Sequence, residues 1–244
     1  MNSDEPNDKA FTKEGRKEKS EEKPVSEDTY ILNDTGDVGK QEVTDEILAA
    51  ELNECGLDFL RLGKFNEAIV SFDKAISIDP NNIYLLNNKA AVLETLGRYE
   101  EAIELYKKAI KINPEDPDLW NNIAFSFSQA GEYKEAIEAY EKALEIRPDY
   151  PNAWYGKALN LSQVGEYEAA IEAYEKVLEE DPDYKEAWVG KGIALGQMGN
   201  YDEAIIAYDR ALEIDPDFLE AWYYKGVDLD SLGSYRQALK AYKK

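Results

Sequence analysis

The chain has 244 residues, with 51 aspartates and glutamates against 28 lysines and arginines, a formal net charge of -23, one cysteine and no histidine. Such a charge repels phosphate backbones and anionic headgroups, so nucleic acid and membrane surfaces are excluded as expected partners. The missing histidine removes the commonest general base and metal ligand, and Cys55 alone can form neither an internal disulfide nor a thiolate zinc site. No catalytic residue, metal or cofactor is expected.

Residues 1–43 mix acids, lysines, serines and prolines with few branched or aromatic side chains. That is too little apolar surface to offset the entropy of ordering, and a disordered tail is expected. Its one apolar island is Tyr30, Ile31 and Leu32. The string GDVGKQ at 36–41 has two residues where a phosphate loop needs four and Gln41 where it needs Ser or Thr, so it is not one. With no apolar run suited to a signal peptide or a membrane span, a cytoplasmic protein is expected.

From residue 44 to Lys244 the sequence repeats. Pro80, Pro114, Pro148, Pro182 and Pro216 are 34 residues apart, a period that means stacked supersecondary units. Each unit holds two segments of helical periodicity with a glycine between them, at Gly63, Gly97, Gly131, Gly165, Gly199 and Gly233, where a helix stop is expected.

In the first segment a large column, Leu52, Leu86, Trp120, Trp154, Trp188 and Trp222, is followed four positions on by Gly56, Ala90, Ala124, Ala158, Gly192 and Gly226. Seven positions on stand Phe59, Leu93, Phe127, Leu161, Leu195 and Leu229. These spacings place the three columns on one helix face. The second segment sets Phe65, Tyr99, Tyr133, Tyr167, Tyr201 and Tyr235 before alanines at Ala68 to Ala238, then Phe72, Tyr106, Tyr140, Tyr174, Tyr208 and Tyr242. All are expected to pack between helices, and Cys55 is expected to be a small buried side chain.

The stretch AWYGKALNLSQVGEYEAAIEAYEKVLEEDP, Ala153 to Pro182, resembles the tetratricopeptide repeat. The resemblance implies an all-α fold, a right-handed α-solenoid of antiparallel helix pairs over residues 44–244. Its units are 49–82, 83–116, 117–150, 151–184, 185–218 and 219–244, the last incomplete. Either the chain is a fragment, or its end is covered by a partner or a second copy. In the family the first helices line a concave groove that binds protein.

Subtracting the packing columns leaves the residues of that groove. Asn53, Asn87, Asn88, Asn121 and Asn122 offer amides that donate to and accept from an extended backbone, or are ordinary repeat usage on a solvated face. Phe125, Tyr155, Val189, Ile193, Tyr223 and Tyr224 form an aromatic and branched half, in which Gly156 and Gly190 would leave shallow pockets for a partner's apolar side chains. Tyr150, Tyr184 and Phe218 are expected to pack between units.

Acids dominate beside the groove: Glu54, Glu94, Asp118, Glu186, Glu220 and Asp230 against Arg61. The carboxylate clamp that some family members use for chaperone C-termini needs lysine and arginine on this face, so none is expected. Lys89, Lys157, Lys191 and Lys225 are expected to pack their stems and reach helix carboxylates. The sequence thus points to a non-catalytic scaffold binding an extended or helical segment of a neutral or basic protein. The alternative is a self-assembling structural protein, a homo-oligomer through its C-terminal unit.

Overall fold

A computed structural model describes residues 28–32, 38–42 and 44–244. They fall into two units, one within Met1–Val43 and one from Thr44 to Lys244. In the first, β1 (Asp28–Leu32) and β2 (Val38–Glu42) form an antiparallel pair with Tyr30 opposite Lys40. The sequence reading places no strand here, because a composition average over 43 residues hides so short a β-prone run as Thr29-Tyr30-Ile31. The rest of the expected tail, 1–27, 33–37 and 43, lies outside the described residues, as do Gly36 and Asp37 of GDVGKQ.

The second unit is helical throughout. Its elements are α1 (Asp45–Arg61), α2 (Phe65–Ile78), α3 (Ile83–Thr95), α4 (Tyr99–Ile112), α5 (Pro117–Ala130), α6 (Tyr133–Ile146), α7 (Pro151–Val164), α8 (Tyr167–Glu180), α9 (Lys185–Gln197), α10 (Tyr201–Ile214), α11 (Leu219–Ser231) and α12 (Tyr235–Ala241). The expected unit starts at Ile83, Pro117, Pro151, Lys185 and Leu219 are the first residues of α3, α5, α7, α9 and α11. Only α1 differs, starting before Ala49 because Thr44 caps it, its hydroxyl accepting from the Ile47 N–H at 3.4 Å.

Each pair turns at its glycine. The six have φ between 70° and 84°, the left-handed region that glycine enters without a Cβ clash. The following residue then donates to the carbonyl of the last packing column, from Lys64 to Phe59 at 2.8 Å through Ser234 to Leu229 at 2.8 Å, and closes the helix end.

Two links make the period rigid. The indole N–H groups of Trp120, Trp154, Trp188 and Trp222 each donate at 2.8 Å to the carbonyl of the proline six residues earlier. The lysine column crosses units as expected: Lys89 reaches Asp73 at 2.5 Å, Lys157 reaches Glu141 at 2.8 Å, Lys191 reaches Glu175 at 2.7 Å, and Lys225 reaches Asp209. Three of these ammonium groups lie over the tryptophan of their own unit, 5.4 to 5.7 Å from the ring centroid.

First helices of successive units touch one another, α1 with α3, α5 with α7, α7 with α9 and α9 with α11, whereas successive second helices stay apart. The stack is therefore tighter on the first-helix side, which makes that side concave. Columns that need a neighbour on both sides are exposed at the ends. Tyr235 on α12 and Tyr242 just after it stand 69% and 47% exposed, and Cys55 is exposed on α1 rather than buried, since no described helix pair packs on its outer side.

Candidate protein-binding groove

The asparagines on the concave face are half-buried and pair with one another across units. The Asn88 amide donates to Asn53 Oδ1 and the Asn122 amide to Asn87 Oδ1, each at 3.0 Å. Each bond uses one N–H and one lone pair, so every amide keeps further donor or acceptor capacity. The rungs join the column after the large residue to the next column of the following unit, and they end at Asn121 because the next partner place is Gly156.

The aromatic half departs from expectation in two ways. Val189 is 2% exposed and cannot meet a partner; it packs in the core of the fifth unit with Tyr208 and Leu195. Gly156 and Gly190 leave no pockets either. A Cβ on Gly156 would stand 2.3 Å from Tyr140 Cζ, and one on Gly190 would stand 2.4 Å from Tyr174 Cζ. The second-helix rings of the preceding units already fill that space.

A size rule describes five of the six rings, Tyr106 meeting no glycine in either place. Where the own unit has alanine four after the large column and the next unit has glycine two after it, the ring lies forward, as for Tyr140 and Tyr174. Where the own unit has glycine, the ring lies back on it: Phe72 on Gly56, Tyr208 on Gly192, Tyr242 on Gly226. The turned-back Tyr208 leaves room for Tyr224, which stacks on it at 6.4 Å between centroids and meets Tyr223 edge-on at 5.2 Å.

What remains open is Phe125, 44% exposed, and Tyr223, 57% exposed, with Tyr155, Ile193 and Tyr224 half-buried between them. Tyr155 rests edge-on against Tyr174 at 6.0 Å and leans on Tyr184 at 5.1 Å. Tyr150, Tyr184 and Phe218 are half-buried at the turns, as expected. Asp118 is held by Arg147 at 3.0 and 3.3 Å and by the Tyr150 hydroxyl at 2.8 Å. The guanidinium keeps that carboxyl below its usual range, with Tyr150 adding to the effect against partial burial.

Sequence reasoning missed a polar layer beneath the groove. It comes from the column six after the large residue, Asp58, Val92, Ser126, Asn160, Ala194 and Asp228, of which all but Asp58 are buried. Ser126 donates to Glu94 Oε1 at 2.5 Å, and the Asn160 amide donates to the Gly156 carbonyl at 2.8 Å. Polar residues one position before the large column at Phe127, Leu161 and Leu229 were the available signal. Burial raises the Glu94 carboxyl, against the Ser126 and Tyr106 hydroxyls that favour its charged form.

Asp228 sits in the space that Gly196 leaves open, and its Oδ2 has no hydrogen-bond partner. Burial raises its carboxyl, with the Tyr208 hydroxyl opposing. A carboxyl raised in the folded state contributes stability below the unfolded carboxylate range and loses it as pH climbs through the folded value. Asp228→Asn is therefore expected to stabilise the array by about 1 kcal/mol at neutral pH. Urea unfolding at several pH values checks this: the gain should vanish below about pH 4, where the aspartate is protonated in both states.

Among the described residues no three His, Cys, Asp or Glu side chains are placed to hold a metal ion, and no helix is long and apolar enough to cross a membrane. Stacked helix pairs with an open face of amides and rings define a helical-repeat scaffold for protein interaction. Sequence models of the tetratricopeptide repeat match residues 155–218, 191–244, 82–149 and 115–183, and one of the TPR repeat matches 56–97; the chain belongs to the tetratricopeptide repeat family.

No protein of curated function matches by sequence. Among solved structures, the MamA protein is 27% identical with a TM-score of 0.66, over 69% of this chain and 92% of that one. A tetratricopeptide repeat protein from Parabacteroides merdae is 24% identical with a TM-score of 0.72, over 79% and 77%. YrrB, described as a TPR protein with an unusual peptide-binding site, is 21% identical with a TM-score of 0.65, over 72% and 91%. The last two likenesses are of fold alone.

Proposed function

We propose that this chain is a non-catalytic, cytoplasmic scaffold that binds an extended or helical segment of a partner protein, neutral or basic, along its concave face. The observation that carries the reading is the set of open rings, Phe125 and Tyr223, and half-buried rings, Tyr155 and Tyr224, together with asparagine pairs that retain hydrogen-bonding capacity. Rings supply contact area at low entropic cost and the amides take up backbone groups without regard to sequence. Free cations are few on this face, so a carboxylate clamp is not part of the proposal.

Tyr155→Ala with Tyr223→Ala is expected to release the captured partner by at least about tenfold while helix content stays unchanged by circular dichroism. If every partner captured from native lysate by the unaltered chain is retained, the groove assignment is wrong. A second reading, association between copies through the sixth unit, is supported by the exposure of Tyr235 and Leu239 on α12 and of Tyr242 just after it. Sedimentation over a concentration series separates the two.

A further inference from the structure

We propose that the turn carrying Tyr184, where it meets Tyr155 of the groove, is a binding site for a cationic side chain, an arginine guanidinium, presented by the partner segment. The proposal rests on the reading of the groove as the protein-binding surface and names what one part of it recognises.

Three successive turns carry a ring at the N-cap of a first helix: Tyr150 before α7, Tyr184 before α9 and Phe218 before α11. None gives its helix a side-chain acceptor, whereas Asn82 and Asp116 cap α3 and α5. The rings thus stand where the helix itself favours a short polar residue.

Two of the three are occupied by a cation of the chain. The Arg147 guanidinium lies 4.6 Å from the Tyr150 centroid and is forked onto Asp118. Lys185 Nζ lies 4.7 Å from the Phe218 centroid and 2.5 Å from Asp215 Oδ2. At Tyr184 neither source exists, since Asp181 stands in the place of Arg147 and Pro151 in that of Lys185.

Tyr184 instead has Tyr155 against one side and the acids Asp181 and Glu186 acting on it, while the adjacent Lys185 is committed to Asp215 and the Phe218 ring. Asp181 and Glu186 act on the Tyr184 hydroxyl, and Glu186 and Glu220 on that of Tyr155, with the buried Tyr174 hydroxyl beside them. Both phenols are held above their ordinary range, by burial first and by these charges after it. No ion pair within 4.0 Å engages Glu186 or Glu220 among the described residues; Lys185, which acts on Glu186 at longer range, is paired with Asp215 at 2.5 Å. A half-buried ring pair, with its rings 5.1 Å apart and carboxylates nearby that are in no close ion pair, is what a guanidinium fits, stacking on the ring while its fork reaches an acid. The neighbouring turns show the chain using that combination for itself.

The test is a titration of the full chain, with labelled tyrosine rings, by N-acetyl-arginine methylamide and by the glutamine analogue, followed by NMR. Saturable shifts at Tyr155 and Tyr184 with the arginine probe, and none with glutamine, are expected. Glu186→Gln with Glu220→Gln should weaken binding about threefold to tenfold, whereas Glu138→Gln with Glu172→Gln on exposed second-helix positions should not change it. Asp181→Arg restores the internal cation and should weaken binding by a similar factor in a folded chain.

Several results would overturn the proposal: no shift, equal response to glutamine, shifts spread over Tyr84 and Tyr235, or equal losses in the two carboxylate pairs. Each leaves the groove reading standing, because that reading is judged by partner capture with the Tyr155 and Tyr223 variants. A partner that is captured while the arginine probe leaves Tyr184 unmoved refutes only the cation site.

Discussion

Replacing Tyr174 by alanine is expected to destabilise the array by about 3 to 5 kcal/mol, as for other buried aromatic truncations. The ring is 1% exposed, covers Gly190 of the next unit and supports Tyr155 edge-on. Its loss opens a cavity at the junction of the fourth and fifth units, in a place where a glycine has no side chain with which to fill it. Units in a stack are stabilised by their neighbours, so the damage should be felt as weakened coupling. Urea unfolding of the variant should broaden or split into two steps, each half melting on its own. A loss below about 1 kcal/mol would show instead that the junction collapses around the gap.

Gly192→Ala should destabilise, although helix propensity alone predicts a gain of about 1 kcal/mol in the interior of a helix such as α9. The added Cβ would stand 2.4 Å from Tyr208 Cε1 and 2.8 Å from Cδ1. That ring is 1% exposed and stacked on Tyr224, so it has no free direction in which to retreat. Overpacking of this kind costs about 1 to 3 kcal/mol and outweighs the propensity term. Thermal melting decides the sign, and a raised melting temperature would refute the claim that Tyr208 is fixed against Gly192. The same change also moves the Tyr208 hydroxyl relative to Asp228, so Gly192→Ala and Asp228→Asn should not be additive.

Several elements could be read before any coordinates. The glycine column gave the helix stops, since left-handed backbone favours that residue alone, and the unit starts from Ile83 to Leu219 fall where the 34-residue period puts them. The lysine column was equally legible, because a stem long enough to cross to the preceding unit meets an acid sixteen residues earlier in each case.

The groove was legible in part. Spacing alone puts Asn53, Asn87, Asn122 and Tyr223 on one face of the first helices, and two asparagine bonds join such positions across units. It could not tell that the asparagines bond to each other, nor that Val189 is buried, because both depend on how far one unit rotates onto the next. Gly156 and Gly190 show the limit most clearly. A glycine on a helix face reads equally as an open pocket or as a seat for a ring from elsewhere, and the choice lies with Tyr140 and Tyr174 on other helices.

By itself, then, the sequence determined the repeat, the helix ends and the packing columns, since these follow from local periodicity and from backbone conformations open to few residues. Tertiary structure decided which way each second-helix ring turns, which acids are left without a cation and which faces stay open. Those outcomes depend on pairs of residues about 16 to 35 positions apart meeting in space, and no window along the chain contains both.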